Sequence, residues 1–413
     1  MATAPAVTVG VALGIAQDGD FILDHPSKGQ LDSVSFTLAT GFSPVTTVGR
    51  QAEVRRGRWS QLTDVIDAGE MSLNLLNLDR AFDPSHAPSP FYGRVLPGVA
   101  ARIQAQATGF PPRTLMSGIV DGWTFTYDVD GYSTVIAECT DALGVLGAAE
   151  FNDWTSSATT APAKLGAACD RTEVAWSASA RSFDSGVETL QSDAVSWGSN
   201  VLNYLQLVAR SELGYLFADV ENVLTFRNRN VAVGAAPAVA FGGAGIGFQT
   251  IAAKYGESLF SRVGVDREGG VKQTAQVADV AAWQLLYGPP RSLSLPGLLL
   301  SSDAQSLAMA EYLLDLYDTP RWQIGEISVE LNGLSSADQD SVLSLDVTSV
   351  VSVSFTPNNV GDPIVQTVLV QGIGHALSPS SHVVTLSLIA APVPFFRLDS
   401  ATFGKLDSNV LAF

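Results

Sequence analysis

Apolar and polar residues alternate in short runs through the first third of this chain and again through its last third, with a stretch of helical spacing between them. Those two observations predict a mainly β protein with an α/β insertion, an α+β chain in which two barrel-like β units flank a small α/β unit. At 413 residues the chain exceeds one ordinary domain, and the changes of character divide it. The expected parts are an N-terminal arm at 1–32, a first β unit at 33–148, the α/β unit at 149–248, a second β unit with an inserted helix at 249–392, and a C-terminal arm at 393–413.

Ala4 to Ala16 is strongly apolar but has no Lys or Arg before it, so it reads as a buried strand or arm rather than a leader peptide. Met71 to Leu78 (MSLNLLNL) alternates as a half-buried strand. Phe82-Asp83-Pro84, Pro88, Pro90 and Leu96-Pro97-Gly98 then break the pattern and predict a long ordered loop. WTFTYDV and YSTVI alternate on either side of Asp130-Gly131, a pair that favours the left-handed dihedrals of a tight hairpin turn. Thr155 to Ala163, rich in Ser, Thr and Ala, reads as a linker or exposed loop. Ser199 is placed to cap a helix whose apolar face is Val201, Leu202, Leu205, Val208 and Ala209, with Gly214 as its stop. Tyr215 to Arg227 follows as two short strands about Glu221-Asn222. In the last third, Ser302 or Asp303 caps a helix with Leu307, Ala310, Leu314 and Tyr317 on one face and Pro320 beyond its end. Strands are expected at Gln323–Leu331, Val347–Phe355, Ile364–Val370 and Val383–Leu388.

Charged residues make up 15% of the chain, against about 25% in an average soluble protein, while apolar residues reach 46%. Something must cover such a surface, and there is no run of about 20 apolar residues that would span a membrane. Protein interfaces are therefore expected, and with them an obligate oligomer. The balance of 23 basic against 41 acidic residues, a net charge of −18, repels phosphate backbones and argues against nucleic-acid recognition. It suits a conduit through which DNA slides, since unpaired cations on the wall would hold the polymer. Cys139 and Cys169 match no zinc spacing and no disulfide framework and read as buried free thiols.

No motif marks an active site, a cofactor or a metal. The run GGAGIG at Gly242–Gly247 lacks GxGxxG spacing and reads as a loop. Asp128, Asp130 and Gly131 imitate the start of a calcium loop but lack its closing glutamate. His25, His86, His375 and His382 have no metal-ligand spacing, and there is no GxSxG nucleophile elbow. Trp59, Trp154, Trp176, Trp197 and Trp322 would stack on sugars in a carbohydrate-binding module, but in a β-rich chain they read first as core or interface anchors. Arg55, Arg56 and Arg58 form the one concentrated basic patch, either a solvated strand edge or a salt-bridged contact with an acidic neighbouring subunit. The two ends share the pattern F-x-L-D-x4-G-x-L-D-S: Phe21, Leu23, Asp24, Gly29, Leu31, Asp32 and Ser33 recur as Phe396, Leu398, Asp399, Gly404, Leu406, Asp407 and Ser408. Both ends are therefore expected to be docking arms, the second continuing from Phe395 to Leu411 and Phe413.

Taken in order, RRGR (55–58), AGEMSLNLLNLDRAFDP (68–84), SPFYGRVLPGVAARI (89–103), SGIVDGW (117–123) and ECTDALGVL (138–146) resemble the minor tail proteins of actinobacteriophages with long non-contractile tails, specifically the tail-tip hub. QLVARSELGYLFADVENVLTFRNR (206–229) and VQGIGHAL (370–377) carry the resemblance on, with Ser261 standing where the family usually has Asn. The resemblance implies a non-enzymatic structural protein of the virion, assembled in the host cytoplasm as a trimer whose two barrels per chain make a pseudo-sixfold ring. Its implied partners are the distal-tail adaptor, the end of the tape-measure protein and other minor tail or fibre proteins, with DNA met only by passage through the lumen. The rival readings are the adaptor ring itself and, from another class, a tail enzyme that degrades cell wall or polysaccharide.

Overall fold

The structure is a computed structural model, and it describes residues 4–13, 42–45, 49–59, 65–129 and 131–391. The first third supplies seven strands: β1 (Ala6–Val11), β2 (Ser43–Pro44), β3 (Gly49–Gly57), β4 (Asp67–Leu76), β5 (Ala100–Gln106), β6 (Arg113–Tyr127) and β7 (Ser133–Thr140). β4 buries Gly69, Met71, Leu73 and Leu75 and leaves the intervening residues more exposed, as its alternation predicts. β6 and β7 form the expected hairpin, where Gly131 takes φ +82° and its N–H bonds the Asp128 carbonyl. Asn77 to Gly98 is the expected loop, pinned by Phe82, which is buried against Phe91 and Trp123 with ring centroids 5.1 and 6.2 Å away.

The middle region is more regular than its composition suggests. The stretch read as a linker holds β8 (Trp154–Ser156), β9 (Thr159–Thr160) and the start of a helix, α2 (Ala161–Cys169). Its small residues are helix formers behind a proline in the first turn, so the polarity that suggested a loop is that of a helix start. A shorter helix, α1 (Ala142–Gly147), precedes it, capped by Asp141. β10 (Arg181–Phe183), β11 (Thr189–Leu190) and β12 (Asp193–Val195) follow. α3 (Val201–Arg210) is capped by Asn200 rather than Ser199, the Asn200 side chain accepting from the Asn203 N–H. Its end is turned by Leu213, at φ +54°, while Gly214 lies flat against the ring of Phe226 with no room for a side chain. β13 (Tyr215–Ala218) and β14 (Leu224–Arg227) pair about Asn222, itself at φ +66°.

The last third holds β15 (Val239–Phe241), β16 (Thr250–Tyr255), β17 (Arg262–Arg267), β18 (Gln273–Gln276), α4 (Val280–Tyr287), β19 (Ser292–Leu298), α5 (Asp303–Tyr317), β20 (Trp322–Glu330), α6 (Ser336–Leu343), β21 (Val350–Phe355), β22 (Ile364–Ser378) and β23 (Ser381–Ala390). Three helices therefore stand where one was expected. α5 is capped by Ser302 as predicted, but its buried face is Ser306, Met309, Ala310, Leu313, Leu314 and Tyr317, and Leu307 is 37% exposed. The Gly242–Gly247 run is a tight turn, closed by the Gly242 N–H on the Ile246 carbonyl.

The two β regions share one 13-stranded sheet. Its order is β16-β20-β23-β22-β3-β4-β7-β6-β5-β1-β2, with β21 on β22 and β15 on β21. The join is β22 against β3, antiparallel from Gly372↔Gly57 to Leu377↔Ala52. One core lies along this sheet, with Met71, Leu73, Ile103, Val135, Val329, Val353 and Leu386 among its buried members. A second core takes the middle region together with β17, β18, β19 and α5, so residues 262–317 pack with the α/β region rather than on the main sheet.

Candidate functional site

The seam between β3 and β22 is built on close backbone approach. At Gly57 a Cβ would come within 2.1 Å of the Gln371 carbonyl oxygen, and φ is +87°, so only glycine is accommodated. The register of β22 on β23 shifts between Val370 and Gly372, which frees Gln371 to turn toward β3. The Arg58 N–H then donates to the Gln371 carbonyl at 2.8 Å, and Arg58 Nε to its side-chain oxygen at 2.5 Å.

Arg55, Arg56 and Arg58 come together at this seam but not on a strand edge, because β3 lies between β22 and β4. Alternation sends Arg55 outward, where its guanidinium lies 4.8 Å from the Trp59 ring centre, and Arg56 inward. Arg56, 3% exposed, donates to Asp346 at 2.7 Å and to the carbonyls of Ala218 at 2.9 Å and Leu115 at 3.3 Å. One planar guanidinium thus ties together the first β region, the middle region and the β21 approach. Arg58 is also buried, with its guanidinium 5.8 Å from the Tyr215 ring centre. Arg56 and Arg58 are buried against groups of their own chain, while Arg55 stays at the surface. Beside them Asp141 accepts from the N–H groups of Gly69, Leu143 and Gly144. Burial pushes its carboxyl up to about 6 against the pull of those bonds and of Arg56.

A cavity of about 340 Å³ opens beside the seam, between α3, α5 and the end of β23. Arg58, Arg210, Arg229 and Arg321 line it with Leu316, Tyr317, Trp322 and Ile389, and no Asp or Glu does. Arg229 is held by Glu188 at 2.8 Å, while Arg210 Nε is buried with no hydrogen-bond partner among the described residues. Phe21, Leu23, Leu31, Phe395, Phe396, Leu398, Leu406, Leu411 and Phe413 lie outside the described residues.

Two buried polar groupings escaped the sequence reading. His375 Nδ1 and His382 Nε2 are 3.0 Å apart on one face of the β22–β23 hairpin. Burial holds both imidazoles below their ordinary value, His382 at about 4. The signal was present: His382 pairs with Leu377, so His375 two residues back is its diagonal neighbour on the same face. Lys164, fully buried, donates to Asp193 at 2.5 Å and to the Ser156 hydroxyl at 2.6 Å. No spacing rule points to that contact. Among the described residues no three His, Cys, Asp or Glu side chains gather as a metal site, and Cys139 and Cys169 are buried free thiols.

No family model matches the chain, and no curated protein matches it. Solved structures do. A tail protein from Neisseria meningitidis MC58 superposes with a TM-score of 0.58 at 13% identity, over 93% of this chain and 96% of that one. A 43 kDa tail protein of prophage MuSo2 from Shewanella oneidensis gives 0.57 at 12% identity, over 94% and 97%. The fold is that of phage tail proteins. A type VI secretion component from E. coli, described as structurally similar to T4 bacteriophage tail proteins, shares it with a TM-score of 0.50 at 10% identity, over 84% of this chain and 74% of that one. The tail-protein fold accounts for the whole described arrangement, both β regions and the mixed region between them, since two of these likenesses run nearly end to end in each chain.

Proposed function

We propose that the chain is a structural hub protein of a bacteriophage tail tip, non-enzymatic and trimeric, placed between the tail tube with its distal-tail adaptor and the fibres or other minor tail proteins below. The observation that carries this reading is the end-to-end likeness to tail proteins, joined to the resemblance of the first-third segments to actinobacteriophage hub proteins. In this reading the main-sheet strands of the regions 33–148 and 249–392 make two barrel-like tube units, and three chains present six of them to a sixfold tube. The middle region at 149–248, with residues 262–317 packed against it, stands outside the ring. The lumen passes DNA without binding it and meets the end of the tape-measure protein. Arg55 on the outer face of β3 is a proposed contact to neighbouring protein, and the arms that carry Phe21, Leu23, Leu31, Phe395, Phe396, Leu398, Leu406, Leu411 and Phe413 are proposed to dock into pockets on this chain's own units or on adjacent subunits.

The test is a reconstruction of the intact particle with this chain located in it. A threefold ring with two β units per chain facing the tube is expected. Strict sixfold symmetry, with one unit per chain in the ring, would make the protein the adaptor instead. Sustained turnover of host envelope by the purified protein, lost on changing one acidic residue, would make it an enzyme.

A further inference from the structure

In a chain with 23 basic and 41 acidic residues, the cavity beside the seam is a reversal: four arginines line it and no carboxylate does. Its walls are also apolar, from Ile66, Leu316, Tyr317, Trp322 and Ile389. A ligand for such a space carries an aromatic or aliphatic body and a negative charge. Arg210, at the end of α3, is part of this lining, so its charge is available to a ligand in the cavity.

Ala391, the last described residue, is part of the cavity wall, together with Ile389 and Ala390. The chain continues from it as Pro392-Val393-Pro394-Phe395-Phe396-Arg397-Leu398-Asp399. This is an aromatic pair with a carboxylate three residues after it, which is the chemistry the cavity selects. The prolines fix φ near the extended range. At about 3.1 Å per residue, extended chain brings Phe396 within roughly 15 Å of Ala391. We propose that the cavity is the seat of the first part of this chain's own C-terminal segment, residues 392–399, with Phe395 and Phe396 filling the apolar space and Asp399 meeting the arginines. This rests on the reading of that segment as a docking arm and does not depend on the hub role. The stretch from Phe403 to Phe413 lies beyond the seated part and is left for a neighbour.

The full-length chain carrying benzoylphenylalanine at position 396 tests this by photocross-linking. Light- and heavy-isotope copies are mixed, and the products are mapped by mass spectrometry. Cross-links within one chain, to peptides containing Leu316, Tyr317 or Ile389, are expected. Asp399→Asn and Arg210→Met, each made in that background, should lower their yield severalfold. Cross-links to surfaces away from the cavity would overturn the proposal, and so would products joining only light to heavy chains, which would seat a second copy's segment there. Should assembly of the tail tip proceed normally without the segment while the cross-link in the full chain persists, the seat stands and the arm's role in the hub falls.

Discussion

Neighbouring arginines on one strand carry different burdens, and their substitutions separate them. Arg56→Met removes the group that satisfies Asp346 and two carbonyls from distant parts of the chain, and a cost of about 3 kcal/mol is expected because buried polar partners are left bare. Arg55→Met, at the exposed position beside Trp59, should change stability by no more than about 0.5 kcal/mol. Urea denaturation of both variants checks the contrast, and equal losses would contradict the inward placement of Arg56. The histidine pair gives a second prediction, in pH. Both imidazoles are held below their ordinary value by burial, so between about pH 4 and 6.5 the folded state binds fewer protons than the unfolded one. Stability present above pH 6.5 is therefore lost as the pH falls toward 4, by about 3 kcal/mol from His382 alone. Asp141 works the other way: its carboxyl, raised to about 6, favours the folded state at the acid end of the same range. Replacing both histidines by glutamine should flatten the loss of stability on acidification, and an unchanged slope would remove the pair as its source.

Among the elements, the hairpin of β6 and β7 was readable because alternation and an Asp-Gly turn coincide, and α5 because a serine cap and a following proline bracket it. Of the face read for α5, Ala310, Leu314 and Tyr317 are buried and Leu307 is not, while Met309 and Leu313 widen the buried face on the side packed against β17 and β18. α2 was missed because Thr and Ala carry no periodicity, and only its packing fixes it. The candidate site was legible only in part. The RRGR run marked the seam, but which arginine points inward depends on β3 being a central strand, and that depends on a partner more than 300 residues away. At the tip of the hairpin, Tyr127, Tyr132 and the fully exposed Val129 stand in solvent. In the hub reading that tip is covered on assembly. Val129→Ser should then leave the stability of the isolated chain within about 0.5 kcal/mol while lowering its incorporation into particles. Thermal denaturation and quantitation of the chain in purified tails measure the two effects, and normal incorporation would place the tip outside any interface.

At the scale of the whole molecule, exposed apolar side chains and a scarcity of charge point to the same conclusion. Trp197, Leu285, Leu286 and Val360 are each more than 70% exposed, and only 15% of all residues carry charge. Such a surface favours assembly with other protein, and in the proposed hub role the form expected is a trimer. How the charges are distributed bears on the lumen. Arg56, Arg113, Lys164, Arg181, Arg227, Arg229 and Arg267 are each paired with a carboxylate of the same chain, and four arginines line the cavity beside the seam. These cations are held by intrachain partners, and the chain as a whole carries an excess of 18 negative charges. A phosphate backbone gains affinity by exchanging its counterions for protein cations, and here few are offered. The purified protein should therefore fail to retain duplex DNA on a filter even at about 50 mM salt, where backbone contacts are strong. If the chain lines a hub ring as proposed, its inward-facing side chains should be acidic or neutral, so that DNA slides past them. Retention that fades steeply as salt is added, or a reconstruction with several Lys or Arg per chain facing the channel, would contradict a passive conduit.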